Sequence, residues 1–184
     1  MEILELVVSP GHRYAGRPAD GVAPVGEAVD EAPTRVDVRA HRGIVGDRYF
    51  GARHRRAAVT FVSREELESV LVPLGVETVD TRLARRNVVL SGVDVESLLH
   101  TTFTIDAGHG PVRFRSLTRA NPCAWMDVVY AEGSHRGLRR HAGIRTEPLD
   151  DGVLEVGPVR LLDVVPLSPE ELPRRRGRSV SAGA

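Results

Sequence analysis

The sequence predicts a mainly β, α+β chain whose short strands form a mixed barrel, closed or nearly closed, with a few short helices. Three observations carry this expectation. Short apolar runs recur along the chain and each ends in Gly, Pro or Ser; helical periods are few; and strands do not alternate regularly with helices, as a parallel doubly wound sheet requires.

The elements follow in order. Ile3 to Val8 is rich in residues that suit a pleated surface and stops at Ser9-Pro10-Gly11, which predicts a first strand and its exit. Residues 15 to 34, broken by Gly16, Pro18, Gly21, Pro24, Gly26 and Pro33, predict a long surface loop. Val36 and Val38 alternate with Asp37 and Arg39, the period of a half-buried strand over 34–40, which leads into the loop Gly43 to Gly51. Residues 57 to 62 predict a buried strand, and Ser63 with Glu66 predicts a reciprocal capping box opening a helix over 64–72, with Leu67, Val70 and Leu71 on one face. Strands are expected at 87–90 and 102–105 with a helical turn at 94–99 between them, then at 112–117, where the alternation of Val112, Phe114 and Leu117 is only approximate. Ile144 to Glu147, Val153 to Val156 and Val159 to Val165 complete the strands, with Gly157-Pro158 expected as a turn. The barrel is expected to span 1–167, and residues 168–184, rich in Arg, Pro and Ser, are expected to form a disordered tail.

Composition narrows the function. The chain has 184 residues, 25 basic and 25 acidic, with a formal net charge of zero, and this balance argues against a general nucleic-acid or anionic-membrane binder. Every basic residue is Arg; without Lys there is no Schiff-base amine, no covalent pyridoxal phosphate and no Walker A loop. A single cysteine excludes an intrachain disulfide and a Cys-based zinc cage. The amino terminus carries Glu where a signal peptide needs basic residues, and no apolar run approaches the roughly 20 residues of a membrane span. A cytoplasmic setting is expected.

Three segments carry candidate chemistry. In Asn121-Pro122-Cys123, Asn suits a helix cap and Pro the first helical position, which predicts Cys123 in a first turn with Arg119 near it in sequence. Positive charge there favours the thiolate, a nucleophile and a ligand for soft metals, although a lone Cys also fits a small buried hydrophobe. In Gly43 to Gly51, three glycines allow close approach of backbone to a ligand, with Gly46, Asp47 and Arg48 at the centre; turn geometry alone also explains them. Arg85-Arg86-Asn87 precedes one strand and Ser9 to Tyr14 follows another, so both are expected at strand ends on one rim, where Arg can grip phosphate.

The series Ser9-Pro10-Gly11-His12, Gly43 to Arg48, Arg86-Asn87-Val88 with Gly92-Val93-Asp94, Asn121 to Met126 and Gly152 to Gly157 resembles the MOSC domain, named for the carboxy-terminal domain of molybdenum cofactor sulfurase. The resemblance covers about residues 1 to 165. It implies a MOSC-type β-barrel that binds molybdenum cofactor (molybdopterin) or carries sulfur, with Cys123 as catalytic residue, metal ligand or persulfide site. It further implies that Gly46, Asp47, Arg48, Arg86 and Asn87, with Arg119 and His12, bind the cofactor. A reductase of N-hydroxylated compounds is one activity it implies, with a separate electron or sulfur donor protein as partner, since the chain has no iron–sulfur cysteine set. Arg86 stands where many members carry Glu, and His100-Thr101 where Gly-Asp is usual. The alternative is a noncatalytic barrel that binds a small anion or a partner protein, with Cys123 inert; nucleic acid and membrane are not expected partners.

Overall fold

A computed structural model describes residues 1–22, 30–53 and 55–172. The expected tail lies outside these from residue 173 onward; Ser168, by contrast, sits in a described turn, its amide and hydroxyl both donating to Glu171. The strands are β1 (Glu2–Leu6), β2 (Arg35–Arg39), β3 (Gly43–Ile44), β4 (Val59–Ser63), β5 (Val88–Ser91), β6 (Thr101–Asp106), β7 (Pro111–Arg119), β8 (Ile144–Pro148), β9 (Gly152–Glu155), β10 (Gly157–Pro158) and β11 (Arg160–Pro166). The α-helices are α1 (Arg64–Leu71), α2 (Trp125–Val129) and α3 (Ser134–Gly137). No helix among the described residues is long and apolar enough to cross a membrane.

Eight strands form one sheet in the order β10-β1-β5-β4-β8-β7-β6-β11, and β3-β2-β9 form a second. Only the β4–β5 pair of the large sheet is parallel, so the sheet is mixed. Its two end strands, β10 and β11, are separated in sequence by Val159 alone, so the sheet curls into a nearly closed barrel and its edges meet. Gly157 and Pro158 are therefore not the expected turn: they pair with Ile3 and Glu2 and bring one end of the sheet round to the other.

Period-two alternation sorts each strand between two cores. Val59 and Phe61 of β4 and Val88 and Leu90 of β5 enter the barrel, while Val62 and Val89 face outward onto Leu67 and Leu71 of α1 and Trp125 and Met126 of α2. Inside, Phe61 meets Phe114 edge-on at 5.0 Å and Phe103 at 5.5 Å between ring centroids. The approximate alternation in β7 has a cause. A bulge between Ser116 and Thr118 resets the phase, as another does in β1 between Ile3 and Glu5.

Half of the expected capping box is present at α1. Ser63 Oγ accepts from the Glu66 amide at 3.2 Å, but the Glu66 carboxylate turns away and accepts from the Glu96 amide at 2.9 Å. Burial is the main cause that lifts the Glu66 carboxyl from its ordinary 4.5 to about 7; the Glu96 amide opposes the shift and Asp94 adds to it. The folded chain thus binds a proton there that the unfolded chain has released, so stability is full below about pH 4.5 and falls as pH rises toward 7. Glu66→Gln, which mimics the protonated form, is expected to match the wild type near pH 4.5. At pH 8 it should exceed the wild type by an amount on the order of 1 kcal/mol, after allowance for partial exposure. Urea midpoints at the two pH values check this, and a variant less stable at both rejects it.

Candidate functional site

The end of β1 and the starts of β4 and β5 converge with the loop after β3, and one buried polar network locks them together. Asn87, at the entrance to β5, accepts through Oδ1 from the Thr60 amide at 3.0 Å and the Thr60 hydroxyl at 2.9 Å. Its Nδ2 donates to the Val7 carbonyl and to Asp47, both at 3.1 Å. Asp47, 6% exposed, also accepts from the Ser9 amide at 3.3 Å and the Tyr49 amide at 2.9 Å. Gly46, at φ +89°, makes the turn that delivers Asp47, and its own conformation disfavours a side chain. The polar atoms of Asp47 and Asn87 are spent on the scaffold, so these residues shape the site.

They shape a cleft of about 750 Å³. Its lining holds eight arginines, Arg48, Arg53, Arg55, Arg56, Arg85, Arg86, Arg115 and Arg145, against two acids, Asp47 and Glu147. Several guanidiniums are oriented by the protein. Arg48 donates to the Gly11 carbonyl at 3.3 Å and lies over the Tyr49 ring at 4.6 Å. Arg85, in a left-handed conformation at φ 55°, forks onto Glu31 at 2.6 and 3.3 Å. Arg115 pairs with Glu147 at 2.6 Å, and the other oxygen of Glu147 meets His41 Nδ1 at 2.8 Å. Arg86 donates to the Ala142 carbonyl at 2.7 Å and the Asn121 carbonyl at 3.3 Å. Burial, and then the like charge of Arg145, lowers the Arg86 guanidinium to about 10, still protonated at neutral pH. Nε of Arg48 and Nε of Arg115 are buried with no acceptor among the described residues.

The net charge of zero therefore hides a strongly positive interior cleft, because net charge sums over the surface while a binding field is local. Of the residues singled out in the sequence, Ser9, Asp47, Arg48, Arg85, Arg86 and Asn87 line the cleft. His12 is exposed and outside the lining, and Arg119, also outside it, is paired with Glu96, so neither takes the expected place in the cleft. Arg53, Arg55, Arg56, Arg115 and Arg145 escaped the sequence reading. The basic run from Arg53 to Arg56 was a usable signal for the first three. Arg115 and Arg145 read as ordinary outward strand positions, and only the β7–β8 and β4–β8 pairings bring them to the cleft.

Cys123 needs one correction. The α-helix begins at Trp125 with Ala124 before it, and neither Asn121 nor any other side chain caps it. Trp125 is drawn inward to stack on Tyr14 at 5.3 Å, which sets the helix start later than Asn121-Pro122 suggests. Cys123 thus lies in the preceding connection and not in the first helical turn, its carbonyl accepting from the Met126 amide at 3.0 Å, and its thiol makes no capping hydrogen bond to the helix. It is exposed, outside the cleft lining, and close enough to Arg86 that a thiolate there favours the charged guanidinium. Burial raises the nearby Tyr14 hydroxyl to about 12, with Arg85 opposing the shift. Among the described residues no group of three His, Cys, Asp or Glu side chains could hold a metal ion, so a metal at Cys123 would need its other ligands from a cofactor.

No protein-family model matches the chain, and no curated protein matches it in sequence. Solved structures do. The chain is similar to the YuaD protein of Bacillus subtilis, with 18% identity and a TM-score of 0.63 over 87% of this chain and 93% of that one. It is similar to YiiM of Escherichia coli, with 14% identity and a TM-score of 0.55 over 90% and 73% of the two chains. It is also similar to YiiM of Geobacillus stearothermophilus, with 14% identity and a TM-score of 0.58 over 88% and 75%. At these identities the likeness establishes the fold, which is the MOSC-type barrel.

Proposed function

We propose that this chain binds the molybdenum-pterin cofactor, with the arginine cleft gripping its phosphate and Cys123 supplying a thiolate to the metal. The observation that carries the reading is the cleft itself, eight guanidiniums shaped by buried Asp47 and Asn87, with the chain's only cysteine exposed beside Arg86. The residues fit the group. Arg48 and Arg86 line the cleft with guanidiniums already oriented by backbone carbonyls, which suits a phosphate. A single accessible thiol, with no other ligand cluster among the described residues, suits a metal that brings its own sulfur ligands.

The cofactor, when bound, supplies two-electron redox or sulfur-transfer chemistry. The chain's contribution is binding and orientation. Arg86 joins the two halves of the site: it lines the cleft and holds the Asn121 carbonyl, two residues before Cys123. Arg48 is held by the Gly11 carbonyl and the Tyr49 ring, so it meets an anion with little loss of side-chain freedom. Turnover, as reduction of N-hydroxylated compounds, requires a separate electron donor; sulfur transfer requires a separate sulfur donor.

A second reading is supported by the absence of Cys123 from the cleft lining: an anion-binding barrel in which the thiol takes no part. Protein purified from cofactor-producing cells separates the two. Molybdenum measured by mass spectrometry is expected to fall about tenfold or more in Cys123→Ala, a loss of about 1.4 kcal/mol or more in affinity. Equal metal in both proteins rejects ligation by Cys123 and leaves the second reading.

A further inference from the structure

The charge of the cleft exceeds what one phosphate can balance. Eight lining guanidiniums face three carboxylates, those of Asp47 and Glu147 in the lining and Glu31 on Arg85, which leaves five positive charges. Glu171 acts on Arg115 from outside the lining and Glu27 lies outside the described residues; with both counted the surplus is still three. A phosphate monoester carries about −1.5 to −2 at neutral pH.

The arginines also fall into two groups by how they are held. Arg48 and Arg86, on the side of the strand exits, are fixed by backbone carbonyls. On the β7–β8 side, half-buried Arg145 has no acidic or carbonyl partner among the described residues, and neither have exposed Arg55 and Arg56, carried on a 3-10 turn (Arg55–Ala57) packed against β8. Arg145 lies near Arg86 with like charge, which lowers the Arg86 pKa, and that proximity is relieved by an anion between or beside them. Isolated exposed arginines are ordinary surface; a half-buried, unpartnered one at the same wall is not.

We infer that the cleft holds two oxyanion subsites, one on the strand-exit side for the cofactor phosphate and one around Arg145 and Arg55 for the carboxylate or phosphate of an anionic substrate. This rests on the cleft being the anion site of the proposed function, but not on Cys123 or on metal.

Calorimetry on the cofactor-free protein, with inorganic phosphate and pyrophosphate as probes at fixed ionic strength, tests it. Two phosphates per chain are expected, with pyrophosphate, which carries more negative charge, at least about tenfold tighter than phosphate. Arg55→Gln with Arg145→Gln is expected to remove one phosphate equivalent and the pyrophosphate advantage while leaving the other equivalent within about twofold. Circular dichroism confirms that this variant is folded. Cofactor-loaded protein should keep one phosphate site. A single phosphate site in the free protein, parallel loss of both anions in the double variant, or no site in the loaded protein overturns the two-subsite inference and leaves cofactor binding standing. Failure of both anions to bind overturns the cleft as an anion site, and the phosphate grip of the proposed function falls with it.

Discussion

Asp47→Asn is expected to cost about 3 kcal/mol of stability and to lower the melting temperature by about 10 °C. The carboxylate divides its oxygens among three donors, the Tyr49 amide on Oδ1 and the Ser9 amide with Asn87 Nδ2 on Oδ2. An asparagine has one acceptor oxygen. Whichever way its amide turns, an NH₂ group faces at least one buried N–H, and that donor is left unsatisfied in a position 6% exposed. The loss reaches function through position, since Ser9, Tyr49 and Asn87 line the cleft and Arg48 follows Asp47 directly, its amide bonded to the Ser9 carbonyl at 2.8 Å. Phosphate affinity should therefore fall along with stability. A melting temperature within about 2 °C of wild type refutes this account of Asp47.

Gly143→Ala is expected to prevent accumulation of folded protein. Gly143 has φ +84°, and a Cβ added there would stand 1.9 Å from the Phe61 carbonyl oxygen and 2.9 Å from its carbon. The obstacle is backbone of a central strand, so no rotamer change relieves it, and β4 or β8 must move. The cost should exceed about 4 kcal/mol, a large share of the stability of a domain of this size. The same residue connects the core to the site: its carbonyl accepts from Ala120 at 2.8 Å and its neighbour Ala142 holds Arg86. Gly11→Ala is the control, with no positive φ and nothing within 4 Å of the added carbon; a change of less than about 0.5 kcal/mol is expected. Soluble yield and far-UV circular dichroism compare the three proteins. A folded Gly143→Ala protein melting like wild type would contradict the packing described here.

Much of the barrel was legible because half-buried strands impose a two-residue period that amino-acid order records directly. The placement of β2, β4 and α1 follows from Val36 and Val38, from residues 57–62 and from Ser63. Local signals mislead where long-range contacts override them. Gly157-Pro158 has the composition of a turn yet pairs with β1, and Asn121-Pro122 has the composition of a helix start yet precedes one, because Trp125 packs on Tyr14.

The candidate site divides in the same way. The order of amino acids by itself determined the chemistry available: arginine as the sole cation, one thiol, and the Gly46-Asp47-Arg48 and Arg86-Asn87 segments at strand ends. Only the tertiary structure decided that arginines from positions 48 to 145 converge on one cleft and that Cys123 lies outside its lining. The physical reason is that propensity and period are short-range properties written into neighbouring residues. An electrostatic field depends on distances through space, and those are set by strand pairing between segments far apart along the chain.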